Sequence, residues 1–76
     1  MNDVLTGVVT EYNENKLWVV ECPEAPKHLR THFLRPQEIA PKLRGRMHVD
    51  MAVQLEYMTD RRTYGTWMLT KELTDE

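Results

Sequence analysis

Lys16 and Trp18 lie at the start of the second of two β-favouring runs in the stretch GVVTEYNENKLWVV, from residue 7 to residue 20. A lysine can neutralise an anionic group, and an indole can stack on another ring or pack against apolar surface. Two β-favouring runs flank the polar segment Asn13–Asn15, and this pattern predicts a hairpin. The hairpin either presents a lysine and aromatic rings to a ligand or is an ordinary structural element.

Metal-binding and catalytic chemistry fit the sequence poorly. The softer metal ligands are not accompanied by a Cys-x-x-Cys pair; they are Cys22, His28, His32 and His48. On one strand His28 and His32 would lie about 13 Å apart at about 3.3 Å per residue, too far to share one ion. The chain has no serine, its single cysteine precedes Pro23, and no carboxylate cluster stands out. We therefore expect no metal, no cofactor and no enzymatic activity.

Length and charge restrict the domain organisation and the partners. The 76 residues allow one domain, 1–76, which buries only about 60% of the surface that its unfolded chain exposes. Ten Lys and Arg against 12 Asp and Glu give a net charge of −2, so nucleic acid would be attracted by a local basic patch rather than by a global field. One cysteine favours a reducing compartment. With no signal-like leader and no apolar run of about 18 residues, we expect a soluble cytoplasmic domain with no membrane partner.

Five short strands are predicted from runs of β-branched and aromatic residues between turn residues. They cover residues 4–12, 16–21, 28–34, 52–57 and 64–69. The fourth alternates strictly, with Val53, Leu55 and Tyr57 on one face. Segment 35–48 is interpreted as an insertion or loop with at most one helical turn before Pro41, and the residues after Glu72 as a frayed tail.

These strands predict an all-β fold, a small five-stranded antiparallel barrel. Closure of the sheet would remove the exposed edges that a flat sheet leaves open to other chains. A helical fold is disfavoured, because no window keeps apolar residues at helical spacing for three turns without meeting a proline or a β-branched run.

The chain resembles the cold-shock domain family, whose first two strands usually read Gly-x-Val-Lys-Trp-Phe-Asn-x-x-Lys-Gly-(Phe/Tyr)-Gly-Phe-Ile. On that spacing the identities are Gly7, Val9, Asn13 and Lys16, and the aromatic matches are Tyr12 and Trp18. His32-Phe33 is similar to the His-Phe pair that ends the family's third strand, and 52–57 and 65–72 resemble its last two strands. The resemblance covers nearly the whole chain. It implies a cold-shock-like OB-fold that binds single-stranded RNA or DNA and takes part in regulating gene expression.

The resemblance also implies a nucleic-acid-binding surface. Its residues are Tyr12, Lys16, Trp18, Arg30, His32 and Phe33. Trp18, His32 and Phe33 would share one outer wall of neighbouring strands, where stacking contributes about 1–3 kcal/mol per base. Tyr12 would edge this wall, and Lys16 would neutralise a phosphate at its margin. We expect weak binding that depends strongly on salt.

Departures from the family pattern support a second hypothesis. Glu11 stands in place of a tryptophan, and Val20 and Arg30 stand in place of phenylalanines. A carboxylate repels phosphates, whereas the guanidinium plane of Arg30 can still stack on a base. These departures, the acidic charge balance and the Met and Tyr residues of the second half support an alternative function. On the same fold, the domain would be a protein-binding adaptor or inhibitor.

Structural roles compete for the same side chains. Trp18 can plug one end of a small core, and Phe33 can belong to that core. His32 and Lys16 can be solvated surface residues. The pair Arg61-Arg62 either forms a charged hairpin tip that keeps strand edges soluble or extends a path for phosphates.

Overall fold

The β-branched run near the N-terminus and the alternating run after residue 51 are both predicted as strands, and both strands are present. The structure is a computed structural model that describes residues 3–60 and 63–73. Its elements are β1 (Val4–Tyr12), β2 (Trp18–Glu21), the 3₁₀ helix η1 (Lys27–Leu29), β3 (Thr31–Leu34), the 3₁₀ helices η2 (Pro36–Glu38) and η3 (Pro41–Arg46), β4 (Ala52–Asp60) and β5 (Thr63–Glu72). The predicted all-β class and five-stranded antiparallel sheet are confirmed.

The strands are arranged in the order β3-β2-β1-β4-β5. β1 pairs with β2 through residues 8–12 and with β4 through residues 4–8, so it is shared between two halves of the sheet. Its register shifts between Val9 and Glu11, where a bulge bends the strand. The order of the first four strands is that of a Greek key, in which the fourth strand returns beside the first.

The predicted closure into a barrel is wrong. Within the described residues the edge strands β3 and β5 are not paired with each other. β3 has four residues, and the chain then turns into η2 at Pro36, which has no N–H to donate to a neighbouring strand. Further along, Ile39 forms an isolated parallel bridge with Leu69, and the Ala40 N–H donates to the Leu69 carbonyl at 2.8 Å.

Two predicted segments have different local structures. The third strand was predicted to begin at His28, but Pro26 is followed by the short helix η1 and the strand begins at Thr31. The stretch after Pro41 was predicted as a loop and instead forms η3, because proline is suited to the first turn of a helix. Arg61-Arg62 and the end of the predicted tail, residues 74–76, lie outside the described residues. None of the helices in the described part of the chain has the length and apolarity needed to cross a membrane.

The core lies on one face of the bent sheet, which we call the core face. Its buried residues are Val9, Val20, Cys22, Ala25, Leu34, Ile39, Leu43, Met51, Val53, Leu55 and Leu69. Gly7 allows the end of β2 to approach β1 closely: a Cβ there would lie 2.5 Å from the Glu21 carbonyl oxygen and 2.8 Å from Cys22 Sγ. The glycine is therefore required by packing.

Candidate nucleic-acid interface

The β1–β2 hairpin brings three of the predicted binding residues together. Tyr12 and Trp18 are direct cross-strand partners, and their ring centroids are 4.5 Å apart with a tilt of 43°. Trp18 is half-buried and packs against the core, whereas Tyr12 is 50% exposed. Lys16 lies in the turn that joins them and is exposed. We call Tyr12, Lys16 and Trp18 the hairpin site.

The turn of the hairpin site is held by Asn13. Its Oδ1 accepts hydrogen bonds from the backbone N–H groups of Asn15 at 2.9 Å and Leu17 at 3.0 Å. The backbone N–H of Lys16 donates to the Asn13 carbonyl at 3.0 Å, and Lys16 takes a positive φ of 62°. Asn13 therefore fixes the turn in which Lys16 takes the left-handed conformation.

The three rings predicted to share one wall are divided between two faces. Trp18 pairs with Leu34, and His32 pairs with Val20, so both side chains are on the core face. Phe33 follows His32 directly and therefore lies on the opposite face, which we call the outer face. There it is 57% exposed. The prediction of a shared Trp18, His32 and Phe33 surface is wrong because strand residues alternate between faces.

His32 and Arg30 make contacts within the protein. A ring nitrogen of His32, Nε2, lies 2.6 Å from the Leu29 carbonyl oxygen, and the imidazole meets Trp67 edge-on at a centroid distance of 5.8 Å. The imidazole thus joins the two edge strands through side chains. The Arg30 Nε donates to the Ala25 carbonyl at 3.0 Å, which fixes the guanidinium near the bend between β2 and β3. Both side chains thus have contacts within the protein, and their part in binding stays a prediction.

A second ring pair was missed by the sequence prediction of binding residues. Tyr57 and Trp67 are cross-strand partners on the core face, with centroids 5.3 Å apart, and Tyr57 is 40% exposed. Tyr57 lies over Gly65, where a Cβ would collide with its ring. The alternation of Val53, Leu55 and Tyr57 does place this tyrosine on the apolar face, but no motif signals its partner.

The outer face of β1, β2 and β3 is apolar and acidic. Glu11, Val19 and Phe33 lie in one row across the three strands. Val19 is buried but is not part of the main core cluster. In the neighbouring row Glu21 accepts a hydrogen bond from the Thr31 hydroxyl at 3.0 Å. The carboxylates of Glu11 and Glu21 oppose the approach of phosphates to this face.

The softer metal ligands do not form a cluster. Within the part of the chain that the structure describes, no group of three His, Cys, Asp or Glu residues is placed to hold a metal ion. Cys22 is buried. Burial, with a smaller contribution from the negative charge of Glu21, raises the pKa of its thiol, so the thiol stays protonated and unreactive at neutral pH.

Comparisons with protein-family models, with curated proteins and with solved structures found no match to this chain. The similarity to the cold-shock domain therefore remains an expectation from the sequence.

Proposed function

We propose that the domain binds single-stranded RNA or DNA at the hairpin site, without enzymatic activity. The observation that carries this proposal is the half-exposed Tyr12, whose ring centroid lies 4.5 Å from that of Trp18. A base that stacks on Tyr12 adds a ring to this tilted pair, and its phosphate lies within the field of the Lys16 ammonium. Stacking of this kind tolerates any base, because every base has a π-face.

The arrangement of the strands supports the same proposal. An OB-fold is a five-stranded, partly open Greek-key barrel that binds oligonucleotides on strands two and three and on the loops after strands one and four. The present sheet has five strands, a Greek-key order and open edges. The turn at Asn13–Leu17 is the loop after strand one. We therefore propose an open, cold-shock-like OB sheet whose binding residues are concentrated at that loop.

Affinity is expected to be low. One exposed ring and one lysine replace the broad platform that the family resemblance implies, and a single stacked base contributes about 1–3 kcal/mol. Glu11 and Glu14 flank the hairpin site and reduce its attraction for phosphates.

Fluorescence titration tests the proposal. In a Trp67→Phe variant, Trp18 is the remaining tryptophan and reports directly on the hairpin site. We expect quenching by oligo-dT and oligo-U that weakens as salt rises. Lys16→Gln should reduce the slope of log K against log salt by about 0.7, the value for one contact with a single strand. An unquenched signal from folded protein at high micromolar strand would contradict nucleic-acid binding.

A specific observation favours the second candidate, a protein-binding adaptor or inhibitor. The exposed Phe33 lies beside Val19 on the outer face, in the same row as Glu11 and next to the row that contains Glu21. An apolar centre with an acidic margin suits a protein partner that has an apolar pocket and a basic rim. If oligonucleotides fail to bind, a nuclease-resistant partner whose capture is lost in Phe33→Ser would identify this function.

A further inference from the structure

A cleft between η3 and the end of β5 concentrates positive charge. It has a volume of about 310 Å³ and is lined by Lys42, Leu43, Arg46, Lys71 and Glu72. We call it the basic cleft. Three cations and one carboxylate give it a formal charge of +2, whereas the whole chain carries −2. The charge of the cleft is therefore opposite to that of the molecule around it.

The positions of the cleft residues are fixed by the fold. Leu43 is buried in the core and holds η3 against the sheet, and the Ala40 N–H donates to the Leu69 carbonyl at 2.8 Å immediately before η3. The Arg44 Nε donates to the carbonyls of Pro36 at 2.8 Å and Ile39 at 3.1 Å. Arg44 thus anchors the helix.

Lys42 and Arg46, which precede and follow Arg44 in the sequence of η3, line the cleft, and Lys71 lines it from β5. Glu72 Oε1 pairs with Arg46 Nη2 at 3.2 Å. This carboxylate occupies one donor of the guanidinium, and Lys42 and Lys71 line the same cleft. An oxyanion that replaces the Glu72 carboxylate would contact Arg46 in a cleft that both lysines also line.

We propose that the basic cleft binds a phosphate group. A tetrahedral dianion can accept bidentate hydrogen bonds from Arg46 and point-charge contacts from Lys42 and Lys71. The volume of the cleft accommodates a phosphate together with part of a small attached group. This site is separate from the hairpin site in its residues, and its occupation does not require a base to stack on Tyr12.

Amide chemical-shift titration tests the cleft with defined probes. Inorganic phosphate, thymidine 5′-monophosphate and thymidine are added separately at constant ionic strength, with sodium chloride as the reference salt. We expect saturable shifts at Lys42, Arg46, Lys71 and Glu72 with phosphate and with the nucleotide, and none with thymidine. Tighter binding of the nucleotide would identify a nucleotide or strand end as the source of the phosphate, and equal binding would identify the free ion.

The phosphate affinities of variants with substituted cleft residues provide a second test. Lys71→Gln and Lys42→Gln should each weaken phosphate binding about two- to fivefold, the usual effect of one exposed charge. Glu72→Gln should tighten it by a similar factor, because it removes the competing carboxylate from Arg46. Lys27→Gln makes the same charge change at η1, away from the cleft, and should leave binding unchanged.

Three results would overturn the proposal: shifts that chloride reproduces, shifts that thymidine reproduces, or equal effects of Lys71→Gln and Lys27→Gln. Each is independent of the oligonucleotide titration at the hairpin site. Failure of the basic cleft and failure of the hairpin site are therefore distinguishable.

Discussion

Gly7→Ala is expected to destabilise the domain strongly, although it adds only one methyl group. The added Cβ would lie 2.5 Å from the backbone carbonyl oxygen of Glu21, 2.8 Å from Cys22 Sγ and 3.0 Å from Val20 Cγ1. The nearest of these atoms belongs to the backbone of the neighbouring strand, so a change of rotamer cannot relieve the collision. Overpacking of this kind typically costs about 1–3 kcal/mol.

Thermal unfolding followed by circular dichroism measures this cost. A domain of this size loses about 4–8 °C in Tm per kcal/mol, so Gly7→Ala should lower Tm by about 4–24 °C. Gly45→Ala is the matched control: a Cβ there meets nothing within 4 Å, and its φ is not positive. It should leave Tm unchanged or raise it slightly, because alanine restricts the unfolded chain. Equal Tm values for both variants would refute the close approach of β1 and β2.

Three further predictions concern the hairpin and the core. Asn13→Ala removes the acceptor of the Asn15 and Leu17 N–H groups and should lower the free energy of unfolding by about 1–2 kcal/mol; an unchanged urea midpoint would contradict this turn geometry. Glu11→Gln removes a carboxylate next to Tyr12 and should strengthen oligo-dT binding about two- to fivefold at low salt, whereas weaker binding would place the strand elsewhere. Burial raises the pKa of the Cys22 thiol in the folded state, so the thiol of the unfolded chain loses its proton at lower pH, and the free energy of unfolding should fall as pH rises above about 8.5. Cys22→Ala should abolish this part of the pH dependence. A free energy of unfolding that falls with pH as steeply in Cys22→Ala as in the wild type would show that Cys22 is not its cause.

The strands could be predicted from the sequence because local patterns determine them. The alternation of Val53, Leu55 and Tyr57 and the β-branched run of β1 each require one face to be buried, and both strands form as predicted. Closure depends instead on contacts between distant parts of the chain. The predicted barrel fails at β3, where the chain leaves the sheet at Pro36 before it can reach β5.

The candidate site was predictable only in part. Tyr12, Lys16 and Trp18 come together because the turn between them is short and local, and the Asn13 side chain determines its shape. The prediction of one surface shared by three rings is wrong because His32 and Phe33 are adjacent in sequence and must lie on opposite faces of a regular strand. The basic cleft joins η3 to β5 across about thirty residues, and no local spacing predicts such a contact.

Oligonucleotide binding by Tyr12→Leu and Phe33→Leu is the most direct measurement of the proposed function. The two variants remove one exposed ring each, from the hairpin site and from the outer face respectively. We predict that Tyr12→Leu weakens oligo-dT binding about five- to 150-fold, the equivalent of one stacked base, and that Phe33→Leu leaves it unchanged. Loss of binding in Phe33→Leu with full binding in Tyr12→Leu would contradict the hairpin site.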